Sequence, residues 1–174
     1  HIALAVSRAR ENRELPNPFK YDIKALFAGE YQAATEGIGI IKELTGVSIS
    51  EDEVGYITLH IHAGLSRENV AAAMEVARLV QDSIRLIEKE MDFGLASDTL
   101  GYNRLVSHIR YMIARTRKGE RANLDMEDYA KKSFPRTYEA ADHVCQNMEQ
   151  RLGVKVAPEE RGFLAIHIQR VMQA

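Results

Sequence analysis

The chain contains one sequence pattern twice, in an ungapped register displaced by 107 residues. The stretch Gly55–Ile61 recurs in altered form as Gly162–Ile168, and His1 recurs as His108. The other matched positions include charged, aromatic and glycine residues: Arg8 with Arg115, Arg10 with Arg117, Phe27 with Phe134, Tyr31 with Tyr138, Gly46 with Gly153, and Glu53 with Glu160. A single register that repeats two histidines is not expected by chance, so the sequence predicts two copies of one domain.

The repeat predicts a first domain over residues 1–67 and a second over residues 68–174. A complete copy has about 100 residues, which is enough to bury a hydrophobic core without disulfides or metals. Roughly forty residues precede the first histidine of the second copy, whereas none precede His1. We therefore expect the C-terminal part of a longer protein, beginning inside its first copy.

The composition argues against several classes of protein. A net charge of −2 gives no strongly basic surface for binding nucleic acid. The single cysteine, Cys145, excludes an internal disulfide and a multi-cysteine zinc site, and it fits a reducing compartment. No apolar run approaches the length that spans a membrane, and no signal peptide is visible. We expect a soluble, cytoplasmic protein that does not insert into membranes.

Apolar residues recur at helical spacing along nearly the whole chain, and no convincing strand pattern is present. The predicted helices cover residues 1–12, 21–44 with a possible break near Ala28, 50–65, a long element beginning at Ser66, 99–118, 125–152 with a bend at Pro135, and 158–172. The fold class is therefore all-α. We expect two homologous helical bundles with about five helices per complete copy, the first copy being truncated at its N-terminus.

Local signals give finer expectations around Gly55–Ile61. Ser50 and Glu53 have the spacing of a capping box, in which the serine caps the helix and the glutamate reaches back. Val54, Ile57, Ile61 and Leu65 form an apolar stripe at helical spacing. Gly46 is predicted to cap the preceding helix in a left-handed conformation. Gly55 and Gly162 lie inside helices at a cost of about 1 kcal/mol each, which a close helix–helix approach would explain.

Four of the six histidines follow the repeat: His1, His60, His108 and His167. His62 and His143 do not, so we interpret them as surface or packing residues. A lone histidine beside an apolar stripe is usually a packed core residue, but two matched histidines per copy favour a shared function. No zinc-binding spacing, hydrolase motif or cofactor motif accompanies them. We therefore predict no catalytic residue, no cofactor and no metal site.

A neutral imidazole is nucleophilic and can accept a phosphoryl group. Such a group adds negative charge that recruits arginine or repels carboxylates. Arg8 and Arg115 each lie seven residues after a repeated histidine on the same helix face, so they are candidate phosphate contacts. Glu53 and Glu160 each lie seven residues before the other histidine. Spacing alone fits a solvated charged face equally well.

The motifs around these histidines resemble those of the phosphotransferase-system regulation domain, or PRD. His1–Arg8 and Tyr102–Ile109 are similar to its first signature, and Glu53–Ile61 and Glu160–Ile168 are similar to its second. The resemblance covers essentially the whole chain. It implies a first PRD that lacks its first helix, followed by a second PRD.

The resemblance also implies a regulatory function. Tandem PRDs occur in transcriptional antiterminators behind an N-terminal RNA-binding domain, where they act in homodimers. The resemblance marks His1, His60, His108 and His167 as phosphorylation sites. It implies HPr and sugar-specific enzyme II components of the phosphotransferase system as donors.

Two alternatives to an antiterminator stay open from the sequence. The same module occurs in DNA-binding activators of sugar operons, which the residues upstream of His1 would distinguish. A helical metal-binding or catalytic protein is a third class, which elemental analysis would reveal.

Overall fold

The computed structural model describes residues 1–66, 69–97, 99–122 and 124–173, which form helices joined by short connections without a strand in these ranges. The helices, in chain order, are α1 Ile2–Arg10, α2 Lys20–Leu26, α3 Ala28–Thr45, α4 Glu51–Ser66, α5 Val70–Met91, α6 Leu100–Lys118, α7 Glu127–Ser133, α8 Pro135–Leu152 and α9 Pro158–Met172. The all-α prediction is confirmed. Among the described residues, no helix combines the length and the apolar character needed to cross a membrane.

The chain divides into two compact units, His1–Arg78 and Leu79–Ala174, with the division inside α5. The boundary expected between residues 67 and 68 lies outside the described residues. Each unit is described separately below.

In the first unit, α2 and α3 are separated by one residue, Phe27, whose backbone leaves helical geometry at φ −129° and ψ 50°. The Phe27 ring is buried, which anchors the bend. The break predicted near Ala28 is therefore confirmed to within one residue. Gly46 ends α3 at φ 70°, as predicted for a left-handed cap. The core of this unit joins residues from α1, α3 and α4: Ala5, Tyr31, Ala34, Val54 and Ile57.

In the second unit, Phe134 separates α7 from α8 in the same way, and Pro135 follows as the first residue of α8. Proline is well suited there because the first helical position has no intrahelical partner for an amide hydrogen. An ion pair from Arg151 to Asp82 and a polar contact between His143 Nδ1 and Glu90 Oε1 join α8 to α5. Val80, Ile84, Ile87 and Met91 form a buried apolar stripe along the part of α5 that belongs to this unit. Within the described residues, this unit contains the C-terminal part of α5 and the helices α6 to α9.

The capping box predicted at the start of α4 is wrong. Glu53 does not return to the Ser50 amide, because its carboxylate is bound by Arg8. The Ser50 amide instead donates to Glu14 Oε1 at 2.7 Å. The Ser50 hydroxyl is buried with no hydrogen-bond partner in the described part of the chain.

The predicted end of α4 also needs correction. Ser66 does not begin the next helix. It is the last residue of α4, and its hydroxyl donates to the His62 carbonyl at 2.8 Å. Leu65, predicted to belong to the apolar stripe, is 75% exposed, whereas Val54 and Ile57 are buried.

Close approach explains the two helical glycines, although the approaching element is not the body of another helix. A Cβ on Gly162 would lie 2.7 Å from the Glu127 amide nitrogen, where the chain enters α7. A Cβ on Gly55 would lie 2.5 Å from Asn17 Nδ2. Asn17 is itself fixed, because it donates to the Asp52 carbonyl and accepts from the Phe19 amide. Both glycines therefore let a preceding segment pack directly onto the helix that carries a repeated histidine.

We predict that Gly162→Ala lowers the free energy of unfolding by about 1–3 kcal/mol, because the methyl group would overlap backbone atoms that cannot rotate away. Gly37→Ala is the matched control, since no atom lies within 4 Å of a Cβ built there. Alanine at that helical position should be neutral or stabilising. Urea unfolding of both variants provides the measurement. Equal stability of Gly162→Ala and wild type would contradict the packing argument.

Candidate functional site

The two repeated histidines of the first unit lie face to face. His1 precedes α1, and His60 lies in α4 near the middle of the helix. Their ring centroids are 3.3 Å apart, with an angle of 19° between the planes. They line an open cleft of 380 Å³ whose other lining residues are apolar: Ile2, Ala3, Ile57 and Ile61.

The second unit repeats this arrangement with His108 on α6 and His167 on α9. Their ring centroids are 4.3 Å apart, with an interplanar angle of 29°. Phe163, one turn before His167, contacts the edge of the pair at 6.4 Å from the His108 ring. Both histidines line a cleft of 440 Å³ that also contains polar and aromatic residues: Leu100, Asn103, Arg104, Ser107 and Tyr111. The structure therefore joins the four histidines into one stacked pair per unit.

Burial keeps imidazoles in these pairs neutral. Desolvation lowers the pKa of His60 below its usual value. Desolvation, together with the charges of His167 and Arg115, lowers the pKa of His108 to about 3. Desolvation also lowers the pKa of His167, and Arg170 and Arg104 lower it further. A neutral imidazole keeps a lone pair on one ring nitrogen, which is what a nucleophile or phosphoryl acceptor requires.

A buried ion pair lies behind each histidine pair. Arg8 donates from Nε and Nη2 to the two carboxylate oxygens of Glu53 at 2.6 and 2.7 Å. Arg115 binds Glu160 in the same bidentate geometry at 2.6 and 2.8 Å. Both glutamate side chains are only 1% exposed. The pairs tie α1 to α4 in one unit and α6 to α9 in the other.

These ion pairs give Arg8 and Arg115 partners that the sequence analysis did not assign to them. The spacing in the sequence relates each arginine and each glutamate to a histidine on its own helix, but it does not pair the arginines with the glutamates. The signal was present, since both members of each pair follow the repeat at the same separation of 45 residues. The predicted contact of Arg8 and Arg115 with a phosphoryl group stays a prediction.

His108 directly adjoins the second ion pair. Its Nε2 lies 4.0 Å from Glu160 Oε2, which is too long for a hydrogen bond. Among the described residues this nitrogen has no hydrogen-bond partner, and it is buried. His108 is therefore the inner member of its pair, enclosed between His167 and the Arg115–Glu160 pair.

The two histidines outside the repeat are placed as predicted. His62 is buried, with Nδ1 2.9 Å from Glu30 Oε1 and its ring 4.1 Å from that of Phe27. The His143 side chain is half-exposed, with Nδ1 3.2 Å from Glu90 Oε1. His62 is thus a packing residue and His143 a surface residue.

A polar network beneath α9 was missed by the sequence analysis. Arg161 stands where the first copy has Val54, and its Nε donates to Asp142 Oδ1 at 2.7 Å. Its Nη2 donates to Glu149 Oε1 at 3.2 Å. Nearby Cys145 is fully buried, and desolvation raises the pKa of its thiol to about 12. Only the mismatch between a valine and an arginine in the repeat register would have drawn attention to this position.

Comparison with known proteins identifies the family of this chain. The family model for the PRD domain matches residues 1–64 and 81–171, so the chain belongs to the PRD family.

Three of its relatives are named as antiterminators. The PtsGHI operon antiterminator of Bacillus subtilis (strain 168) is 30% identical over 97% of this chain and 61% of that protein. The GlcA/glcB genes antiterminator of Staphylococcus carnosus (strain TM300) is 28% identical over 99% and 61%. Transcription antiterminator LicT of Bacillus subtilis (strain 168) is 26% identical over 99% and 64%. This chain spans about three fifths of the length of these relatives.

We predict that Glu160→Gln lowers the free energy of unfolding by about 3 kcal/mol, because it leaves Arg115 without the carboxylate that neutralises it. Lys131→Gln is the matched control, since it breaks an exposed ion pair with Glu127 at 2.7 Å. An exposed pair contributes only about 0–1 kcal/mol. Chemical unfolding of both variants is the measurement, and equal losses would contradict a special role for the buried pair.

The lowered pKa of His108 also predicts a pH dependence. Its folded pKa of about 3 lies below the unfolded value of about 6.5, so the unfolded state binds the proton first as the pH falls. The contribution is therefore constant above pH 6.5 and is lost between pH 6.5 and 3, by up to about 1.4 kcal/mol per pH unit. Stability curves of wild type and His108→Gln between pH 8 and pH 5 give the measurement. The curves should run parallel above pH 6.5 and diverge below it, with wild type steeper; parallel curves throughout would contradict a buried neutral imidazole.

Proposed function

We propose that this chain is the regulatory module of a cytoplasmic transcriptional antiterminator, controlled by phosphorylation of His1, His60, His108 and His167 by the phosphotransferase system. The observation that carries the proposal is a stacked histidine pair at an open cleft in each unit. The names of its relatives favour an antiterminator over a DNA-binding activator.

The proposed reaction is phosphoryl transfer from a phosphohistidine of HPr or of a sugar-specific enzyme II component. A neutral imidazole nitrogen of this chain attacks the phosphorus, and a new nitrogen–phosphorus bond forms. The bond to the donor imidazole breaks, and that ring leaves with the electron pair. The phosphorylated ring of this chain then loses its N–H proton, and the departing donor ring can take one up. Low imidazole pKa values support the acceptor role, because the lone pair is free near neutral pH. The proposal needs no catalytic residue and no cofactor on this chain.

Charge explains how phosphorylation would change the module. A phosphoryl group carries about −1.5 to −2 charges near neutral pH. Placed on a stacked pair, it lies next to a buried glutamate that is compensated by one arginine. The new charge competes for that arginine, and it therefore acts on the contact between α1 and α4 or between α6 and α9. A few kcal/mol at this contact are enough to shift an equilibrium between two arrangements.

We propose that the affected equilibrium is homodimerisation, and that the dimer state controls an RNA-binding domain elsewhere in the full-length protein. The RNA contact is assigned to the part of the protein that this chain does not include.

We predict that phosphoenolpyruvate, enzyme I and HPr place acid-labile phosphate on histidines of the repeat. Phosphopeptide mapping at alkaline pH locates the phosphate in wild type and in His60→Ala, His108→Ala and His167→Ala. Each substitution should remove the label from its own peptide, whereas His143→Ala should leave the labelling unchanged, because this half-exposed histidine lies outside both stacked pairs.

Light scattering of the same samples tests the dimer, with His60→Asp and His167→Asp as charge mimics. The molar mass should differ between phosphorylated and unphosphorylated protein. An unlabelled wild type beside a labelled control protein would contradict donation by HPr. Labelling without any change in molar mass would contradict the dimer proposal.

A further inference from the structure

The cleft beside the histidine pair of the second unit is cationic. Arg104 lines the cleft together with His108 and His167, and it lies one turn before His108 on α6. Arg170 lies one turn after His167 on α9. Residues separated by three or four positions share a helix face, so each histidine of the stacked pair has an arginine beside it.

Both arginines are exposed and available to a ligand. In the described ranges neither Arg104 nor Arg170 forms an ion pair with a carboxylate. The neighbouring arginines are already engaged, since Arg115 binds Glu160 and Arg161 binds Asp142 and Glu149. One guanidinium group therefore lines the cleft, and a second lies one turn from His167 on α9; neither is compensated by a carboxylate in the described ranges.

We propose that Arg104 and Arg170 form a binding seat for a phosphoryl dianion carried by His167. Guanidinium groups recognise phosphate oxygens by charge-assisted hydrogen bonds, often two at a time. The inference rests on the proposed function, because it requires His167 to accept a phosphoryl group. It assigns phosphate recognition in this unit to residues other than Arg115.

The geometry favours His167 over His108 as the residue whose phosphate occupies this seat. The Nε2 of His108 is buried and lies 4.0 Å from a Glu160 oxygen, so a dianion there would meet a carboxylate at close range. His167 lies on the outer side of the stack. The charges of Arg170 and Arg104 already act on it, because both lower its pKa.

Only one of the two arginines has a counterpart in the first copy of the repeat. Ala63 occupies the position of Arg170, whereas the position of Arg104 would fall before residue 1.

Chemical phosphorylation tests the seat without any protein donor. With potassium phosphoramidate, a histidine nitrogen attacks phosphorus, the nitrogen–phosphorus bond of the reagent breaks, and ammonia leaves. The ³¹P resonance that is absent in His167→Ala identifies phospho-His167, and its pH titration gives the pKa of the second phosphoryl ionisation. The ordinary second pKa of a protein-bound phosphate is about 6.

We expect Arg104→Gln and Arg170→Gln each to raise the second pKa of phospho-His167 by roughly half a unit, since each removes a charge that favours the dianion. Arg136→Gln is the matched control, because Arg136 is an exposed arginine of the same unit on α8 and does not line the cleft. It should leave the titration unchanged. The fraction of His167 phosphorylated at equilibrium by HPr should fall in the two cleft variants and not in the control.

The outcomes separate this inference from the proposed function. Labelling by HPr with identical phosphate titrations in wild type and both cleft variants would overturn the seat and leave the donor proposal standing. A shifted titration after chemical phosphorylation, with no labelling by HPr, would support the seat and contradict the donor. A His167 that accepts phosphate from neither reagent would overturn both.

Discussion

The architecture of each unit depends on a buried glutamate held by an arginine 45 residues away. A carboxylate that is 1% exposed is costly to bury unless an opposite charge and hydrogen bonds compensate it. The bidentate arginine supplies both, and because its geometry is specific it fixes the relative position of the two helices that carry the histidines. The stacked pair is thus a consequence of the ion pair behind it. An interaction of this kind selects one arrangement more than it adds stability, which suits a contact that has to be disturbed by added charge.

The same arrangement is built on different surroundings in the two units. In the first, Val54 is a buried apolar residue of α4. In the second, Arg161 stands at the matching position of α9 and forms a network with Asp142 and Glu149. The histidines and the ion pairs behind them are repeated, whereas the residue that follows each buried glutamate is not.

Much of this structure could be predicted from local sequence signals. The helix starting at Pro158 and the left-handed cap at Gly46 follow from residues within one turn of the feature. The failures involve partners that are distant in sequence. The motif at Ser50 and Glu53 fits a capping box locally, but Arg8 offers Glu53 a stronger, charged and bidentate partner. The repeat places a histidine at two equivalent positions in each copy, but it does not predict that the two rings of a copy stack on each other, because they come from segments far apart in sequence.

The stacking limits how many phosphoryl groups the module can carry at one time. Under the proposed function, a dianion on one ring of a stack strongly disfavours a second on its neighbour, because the ring centroids are only 3.3 or 4.3 Å apart. The four acceptor histidines then behave as two phosphorylation sites, one in each unit. The chain would then carry between zero and two phosphates, with at most one in each unit.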